Sequence, residues 1–139
     1  MRQILVVDDD KDEIAFFERA LSQTDLECEL HQAKTGDDMF KFVDQLSPDL
    51  IFLDLHLPGK SGIACLKMLR HHSKYDHIPI VIYTNFDKQS FIDDCFKARA
   101  NSYMVKPLTP DKLKHVVNAV MPQNQDRDIY PEKENFVVH

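Results

Sequence analysis

Five strand-like runs, QILVV (3–7), CELHQA (28–33), DLIFLD (49–54), IPIVIYT (78–84) and SYMVK (102–106), alternate strictly with five amphipathic stretches. Residues 4–7, 50–53 and 80–83 are apolar on both faces, the pattern of parallel strands covered by helices above and below. CELHQA alternates instead and reads as an edge strand. Between the runs, apolar residues recur at helical spacing: Ile14, Phe17 and Leu21; Met39, Val43 and Leu46; Ile63, Leu66 and Leu69; Phe91, Ile92, Cys95 and Phe96; Leu113, Val116, Val117 and Val120. Parallel strands need crossovers, and short connections leave only helices to make them, so the chain is expected to be one α/β domain around a parallel sheet. Its 139 residues suffice for one such core. Residues 122–139, PQNQDRDIYPEKENFVVH, are polar, hold two prolines and lack helical period. They are expected to form an extended tail beyond a 1–121 domain, not a separate effector domain.

A parallel sheet delivers the carboxyl ends of all its strands to one rim, where ligands bind. Here the first strand ends in Asp8-Asp9, the third in Asp54, the fourth in Thr84 and the fifth in Lys106. Carboxylates crowded this way need a cation or a proton to coexist. Oxygen ligands completed by water suit Mg2+ better than zinc, which favours nitrogen and sulfur. An ammonium and a hydroxyl beside a metal-bound carboxylate are what a transferring phosphoryl group requires. Asp10 has a duller role: with Glu13 three residues on, it has the spacing of a capping box and is expected to cap the first helix.

Other features exclude function classes. The net charge of −6 disfavours nucleic-acid binding. Cys28, Cys65 and Cys95 are odd in number and far apart, so reduced thiols are expected. No apolar run approaches the ~20 residues of a membrane span, and strand-like sequence begins almost at Met1, which points to a cytoplasmic protein. His31, His71, His72, His77, His115 and His139 lack the spacing of a zinc site and read as surface residues.

The pieces ILVVDDD, DLIFLDLHLPGKSG, VIYTN and SYMVKP, each at its own strand end, resemble the response-regulator receiver domain of two-component signalling. The resemblance covers roughly residues 2–121. It implies a flavodoxin-like (βα)5 doubly wound sandwich with a five-stranded sheet in the order 2-1-3-4-5. It implies Asp54 as phosphoacceptor and Mg2+ held by Asp9, by Asp8 through water, by Asp54 and by the His56 carbonyl. Thr84 and Lys106 would bind the phosphoryl group, and Tyr103 matches an aromatic that turns inward with Thr84. The Lys106–Pro107 bond matches the family's cis peptide, and Pro58 and Gly62 match the turn into the third helix. The implied partners are a sensor histidine kinase or a histidine phosphotransfer protein, together with a downstream protein target. The implied readout face is the fourth helix, fifth strand and fifth helix, through which a homodimer is also conceivable. With no effector sequence after residue 121, a stand-alone regulator rather than an enzyme is expected.

The chain departs from the family pattern at Asn85, where a small residue is usual. A bulky side chain there is expected to slow access of donors or water. Phe86 and Phe91 fit either partner contact or core. Two rivals differ in chemistry. An aspartate-nucleophile phosphatase needs a second aspartate two residues after the nucleophile, and His56 stands there. A receiver-like module that binds partners without phosphorylation would have no need of the set Asp8, Asp9, Asp54, Thr84 and Lys106.

Overall fold

The apolar runs 4–7, 50–53 and 80–83 form the middle of one parallel sheet. The computed structural model describes residues 1–121 and 133–138. In chain order the elements are β1 (Arg2–Val7), α1 (Lys11–Ser22), β2 (Cys28–Ala33), α2 (Gly36–Leu46), β3 (Leu50–Leu53), α3 (Gly62–His71), β4 (Ile80–Thr84), α4 (Gln89–Lys97), β5 (Ser102–Val105), α5 (Pro110–Val120) and β6 (Val137–Val138). Single tighter turns lie at Ser73–Tyr75 and Lys133–Asn135. The fold is the flavodoxin-like α/β sandwich.

Side chains alternate across each strand with period two, and the sheet sorts them into two cores. Ile4, Val6, Leu50, Phe52, Val81 and Met104 meet Phe17 and Leu21 of α1 and Leu113, Val116, Val117 and Val120 of α5. Leu5, Val7, Ile51, Leu53, Ile80 and Ile82 meet Met39 and Val43 of α2, Leu66 and Leu69 of α3, and Ile92 and Cys95 of α4. Four helices start on a side-chain cap, Asp10, Thr35, Ser61 and Thr109, with Pro110 at the first position of α5. Only α4 among the five begins without one, at Lys88.

The sheet has six strands, in the order β2-β1-β3-β4-β5-β6, not the five expected. The added strand comes from the stretch read as an extended tail. Val137 and Val138 pair in parallel with Tyr103 and Met104, and Phe136 is fully buried. A two-residue strand is too short to show a period, which is why the pattern concealed it. The rest of that tail, 122–132 and His139, lies outside the described residues. Strand ends are shorter than expected by one or two residues: Asp49, Asp54, Ile78, Pro79 and Lys106 all fall just beyond their strands.

At the end of the sheet opposite the rim, Arg70 of α3 is buried. Its guanidinium donates to the carbonyls of Arg99 (3.0 Å) and Tyr75 (3.1 Å) and to Asn101 Oδ1 (2.9 Å). Asn101 Oδ1 also accepts from the Ile80 N–H that opens β4 (2.7 Å). The three cysteines are free thiols. No helix among the described residues is long and apolar enough to cross a membrane.

Candidate functional site

The strand ends converge as the parallel sheet requires. Asp8 follows β1, Asp54 follows β3, Thr84 closes β4 and Lys106 follows β5. Asp8, Asp54 and Thr84 are buried at the rim, whereas Asp9, His56 and Asn85 are exposed. Together with Asp10, Glu13, Phe86 and Lys106 they line one cleft of about 310 Å3. Tyr103 and Pro107 do not line it.

Each buried carboxylate spends one oxygen on its own loop and the other on Lys106. Asp8 Oδ1 accepts from the Asp10 N–H (3.0 Å) and Asp54 Oδ1 from the His56 N–H (3.1 Å). Their Oδ2 atoms lie 2.9 and 3.1 Å from Lys106 Nζ. The ammonium therefore stands between two carboxylates that would otherwise repel. Burial pushes the Asp8 carboxyl above the ordinary carboxylate range, while the Asp10 N–H and Lys106 pull against that push. For Lys106, burial works against the charge, but its bonds to Asp8 and Asp54 outweigh it and hold the ammonium above its usual value. Among the described residues no three His, Cys, Asp or Glu side chains close into a ready metal cluster. Lys106 Nζ instead bridges the two buried carboxylates, and the exposed Asp9 lies beside them on the same cleft.

Gly62, at the start of α3, is required where it stands. A Cβ there would lie 2.1 Å from the Asp54 carbonyl oxygen and 2.6 Å from Leu55 Cα. The Gly62 N–H donates to the Leu55 carbonyl (2.9 Å), so α3 presses directly on the peptide that presents Asp54.

On the other side of the cleft, Thr84 Oγ1 accepts from the Phe86 N–H (3.4 Å). The phenol of Tyr103, fully buried and turned inward, donates to the Phe86 carbonyl (2.6 Å). Phe86 stacks on Phe91 (4.9 Å between centroids) and meets the His56 ring edge-on at 6.0 Å. Both phenylalanines are partly buried against the core. The Lys106–Pro107 peptide is cis, as the resemblance implied.

Two residues of the site escaped the sequence reading. Asp10 does cap α1, through the Asp12 N–H (2.9 Å), but the reciprocal half of the capping box is missing. The Asp10 N–H is already satisfied by Asp8, which frees Glu13 to turn toward the rim. There Glu13 Oε2 accepts from the Tyr83 hydroxyl (3.0 Å) and Oε1 lies 3.6 Å from Lys106 Nζ. Lys106 Nζ also sits 4.9 Å above the Tyr83 ring. Burial, then Glu13, pushes the Tyr83 phenol well above its ordinary range. The available signal was that an acid in the first turn of α1 and the penultimate residue of β4 both overhang the same rim.

Residues 4–118 match the response regulator receiver domain, and the chain belongs to that family. It is 28% identical over 123 residues to the chemotaxis protein CheY1 of Helicobacter pylori strain 26695, covering 88% of this chain and 98% of that one. It is 27% identical over 134 residues to a probable cyclic di-GMP phosphodiesterase of Vibrio cholerae, covering 96% of this chain but 30% of the relative. The chain spans about a third to a half of the length of the first curated relatives that it matches. Among solved structures, the Mn2+-bound form of response regulator Rcp1 superposes with a TM-score of 0.75 at 23% identity, covering 95% of this chain and all of that one, which is a likeness of fold.

Proposed function

We propose that the chain accepts a phosphoryl group on Asp54 from a phosphohistidine of a sensor histidine kinase or histidine phosphotransfer protein, and that it signals through its α4–β5–α5 face. The observation that carries this reading is the fixing of Asp54. His56 N–H orients one carboxylate oxygen, and the other lies at the rim 3.1 Å from an ammonium. In the transfer, Asp54 Oδ2 forms the new P–O bond as the P–N bond to the donor imidazole breaks, and the imidazole leaves with the electron pair. Lys106 is placed to stay beside the incoming phosphoryl oxygens. The Thr84 hydroxyl, its oxygen engaged by the Phe86 N–H, has its proton to give. The aspartyl phosphate then brings new charge and acceptor oxygens to a site built from four strand ends, which is how such a modification shifts a two-state element.

The donor set fits a hard divalent cation. Asp8, Asp9, Asp54 and the His56 carbonyl offer oxygen alone, and Mg2+ is ordinarily held by one or two carboxylates with water and phosphate oxygens. When bound, Mg2+ would offset the charge that develops on the phosphoryl oxygens. Asp8 and Asp54 lie buried together at the rim with the exposed Asp9 on the same cleft, and carboxylates crowded this way favour a cation. The reading makes the chain a signalling protein of the cytoplasm with uptake and slow loss of phosphate as its chemistry. An aspartate-nucleophile phosphatase would want a second carboxylate two residues after Asp54, and His56 stands at that position.

The test is intact mass spectrometry after incubation with acetyl phosphate and Mg2+. One phosphoryl adduct is expected, lost without Mg2+ and absent in Asp54→Ala. A native chain that takes up nothing, or an Asp54→Ala chain that is still modified, overturns the reading.

A further inference from the structure

We infer that residues 133–138 are a built-in clamp on the α4–β5 edge whose seating is coupled to occupancy of the Asp54 cleft; this rests on the phosphoacceptor reading. Without β6, β5 would be an open edge with unpaired donors. The clamp satisfies them. The Phe136 carbonyl accepts from the Tyr103 N–H (3.0 Å) and from the Ser102 hydroxyl (3.0 Å). The Phe136 ring is fully buried, edge-on to Phe96 of α4 at 5.3 Å and 6.1 Å from the Tyr103 ring. Lys133 Nζ lies 3.4 Å from Asp93 of α4. One strand, one helix and one aromatic plug thus hold the segment.

The clamp and the cleft share Tyr103. Its backbone N–H holds Phe136, and its phenol holds the Phe86 carbonyl. The N–H of the same residue, Phe86, bonds Thr84 Oγ1, which faces the cleft. A seated clamp therefore keeps Tyr103 inward, keeps the 84–86 turn in place and leaves the Thr84 proton available to a phosphoryl oxygen. The coupling is positive, and by linkage it runs both ways: a phosphoryl group tightens the clamp as much as the clamp favours the phosphoryl group. The metal side of the cleft, Asp8 and Asp9, lies off this route. A partner that reads the α4–β5–α5 face meets the chain's own Lys133, Glu134, Val137 and Val138, and strand addition to β5 requires the clamp to leave.

The experiment uses the full chain with beryllium fluoride as the phosphoryl mimic in saturating Mg2+, its affinity read by fluorine NMR. Phe136→Ala is expected to weaken beryllium fluoride binding about five-fold or more, the usual scale of a coupling free energy, with Mg2+ affinity by calorimetry changed less than about two-fold. Phe136→Leu, which can still plug the groove, is expected to recover most of the loss. In the native chain, beryllium fluoride should slow hydrogen exchange of the Tyr103 amide, a measurement that needs no variant to fold. Equal affinities for native and Phe136→Ala, or an unchanged Tyr103 exchange rate in the loaded native chain, overturn the coupling and leave the phosphoacceptor reading standing. Failure of the native chain to bind the mimic at all overturns both.

Discussion

Replacing Lys106 with methionine keeps the length of the stem over Tyr83 and deletes the ammonium, with its charge and its donors to Asp8 and Asp54. The side chains of Lys106, Asp8 and Asp54 are 7%, 3% and 10% exposed, so the loss falls on carboxylates that water barely reaches. At about 3 Å and an effective dielectric constant of about 20, each pair attracts by roughly 5–6 kcal/mol, most of it offset by desolvation. Removing one partner of a buried pair typically costs about 3–5 kcal/mol, since the other charge stays buried. The cleft opens to solvent beside the exposed Asp9, His56 and Asn85, so the lower end applies, about 3 kcal/mol. Urea denaturation in EDTA at neutral pH measures it. Mg2+ should then stabilise Lys106→Met more than the native chain, because a cation beside Asp8 and Asp54 relieves the repulsion that the ammonium no longer offsets. At about a hundred times its dissociation constant it returns about 2.7 kcal/mol. The pH dependence has a definite sign. Asp8 is raised above 3.8 in the folded chain, so its ionisation opposes folding; the penalty is absent below that value and complete above the folded-state pKa. Without Lys106 this pKa rises further, and the deficit should be narrower at about pH 5 than at about pH 8. A deficit below about 1 kcal/mol, or one that Mg2+ leaves untouched, refutes the view of Lys106 as the resident counter-ion.

Gly62→Ala should cost about 1–3 kcal/mol in chemical denaturation and slow phosphoryl uptake as well, since its Cβ can be accommodated only by moving the Asp54 peptide; a stable variant with normal uptake would refute the tight-approach argument. Asn85→Ala should speed loss of the phosphoryl group, followed by intact mass after the donor is removed, because the side chain lines the mouth of the cleft. An unchanged rate rules that role out. Ellman's reagent at about pH 8 should label Cys28 first, for it is partly exposed while Cys65 and Cys95 are buried; burial raises all three thiols and pushes Cys95 up to about 12. Equal labelling rates for the three in the folded chain would contradict the packing described above.

The sequence displays those features that local periodicity and strand-end chemistry control. The continuous apolar runs identify β1, β3 and β4 because burial on both faces leaves no polar position. The polar residues that follow them identify the rim because a parallel sheet has only one carboxyl edge. What stayed hidden depends on partners distant in the chain. Glu13 looked like half of a capping box, and only the placement of Asp8 under the Asp10 N–H shows that the cap does not need it. Tyr83 lies within an apolar strand run, and nothing in that run shows that the Lys106 ammonium sits above its ring. Phe136 looked like a residue in a polar tail because its burial is supplied by Phe96 and Tyr103, at least thirty positions earlier. The convergence of Lys106 on both Asp8 and Asp54 was likewise invisible locally, since the three lie 46 to 98 positions apart.

Arg70 stands at the far end of the strands from all of this. It ties the entry to β4 and the turn before β5 through backbone carbonyls and Asn101, roughly 15 Å from the rim at about 3.3 Å per strand residue. Main-chain carbonyls are present whatever the side chains are, so this knot makes almost no demand on the sequence around it. The two ends of the sheet therefore place different demands on the sequence. Residues along the α4–β5 edge can change without loosening the strands, while the rim keeps its charged set and one arginine and one asparagine keep the strands in step. A chain that lost Arg70 would forfeit that latitude, because every later change along that edge would then also be a test of folding.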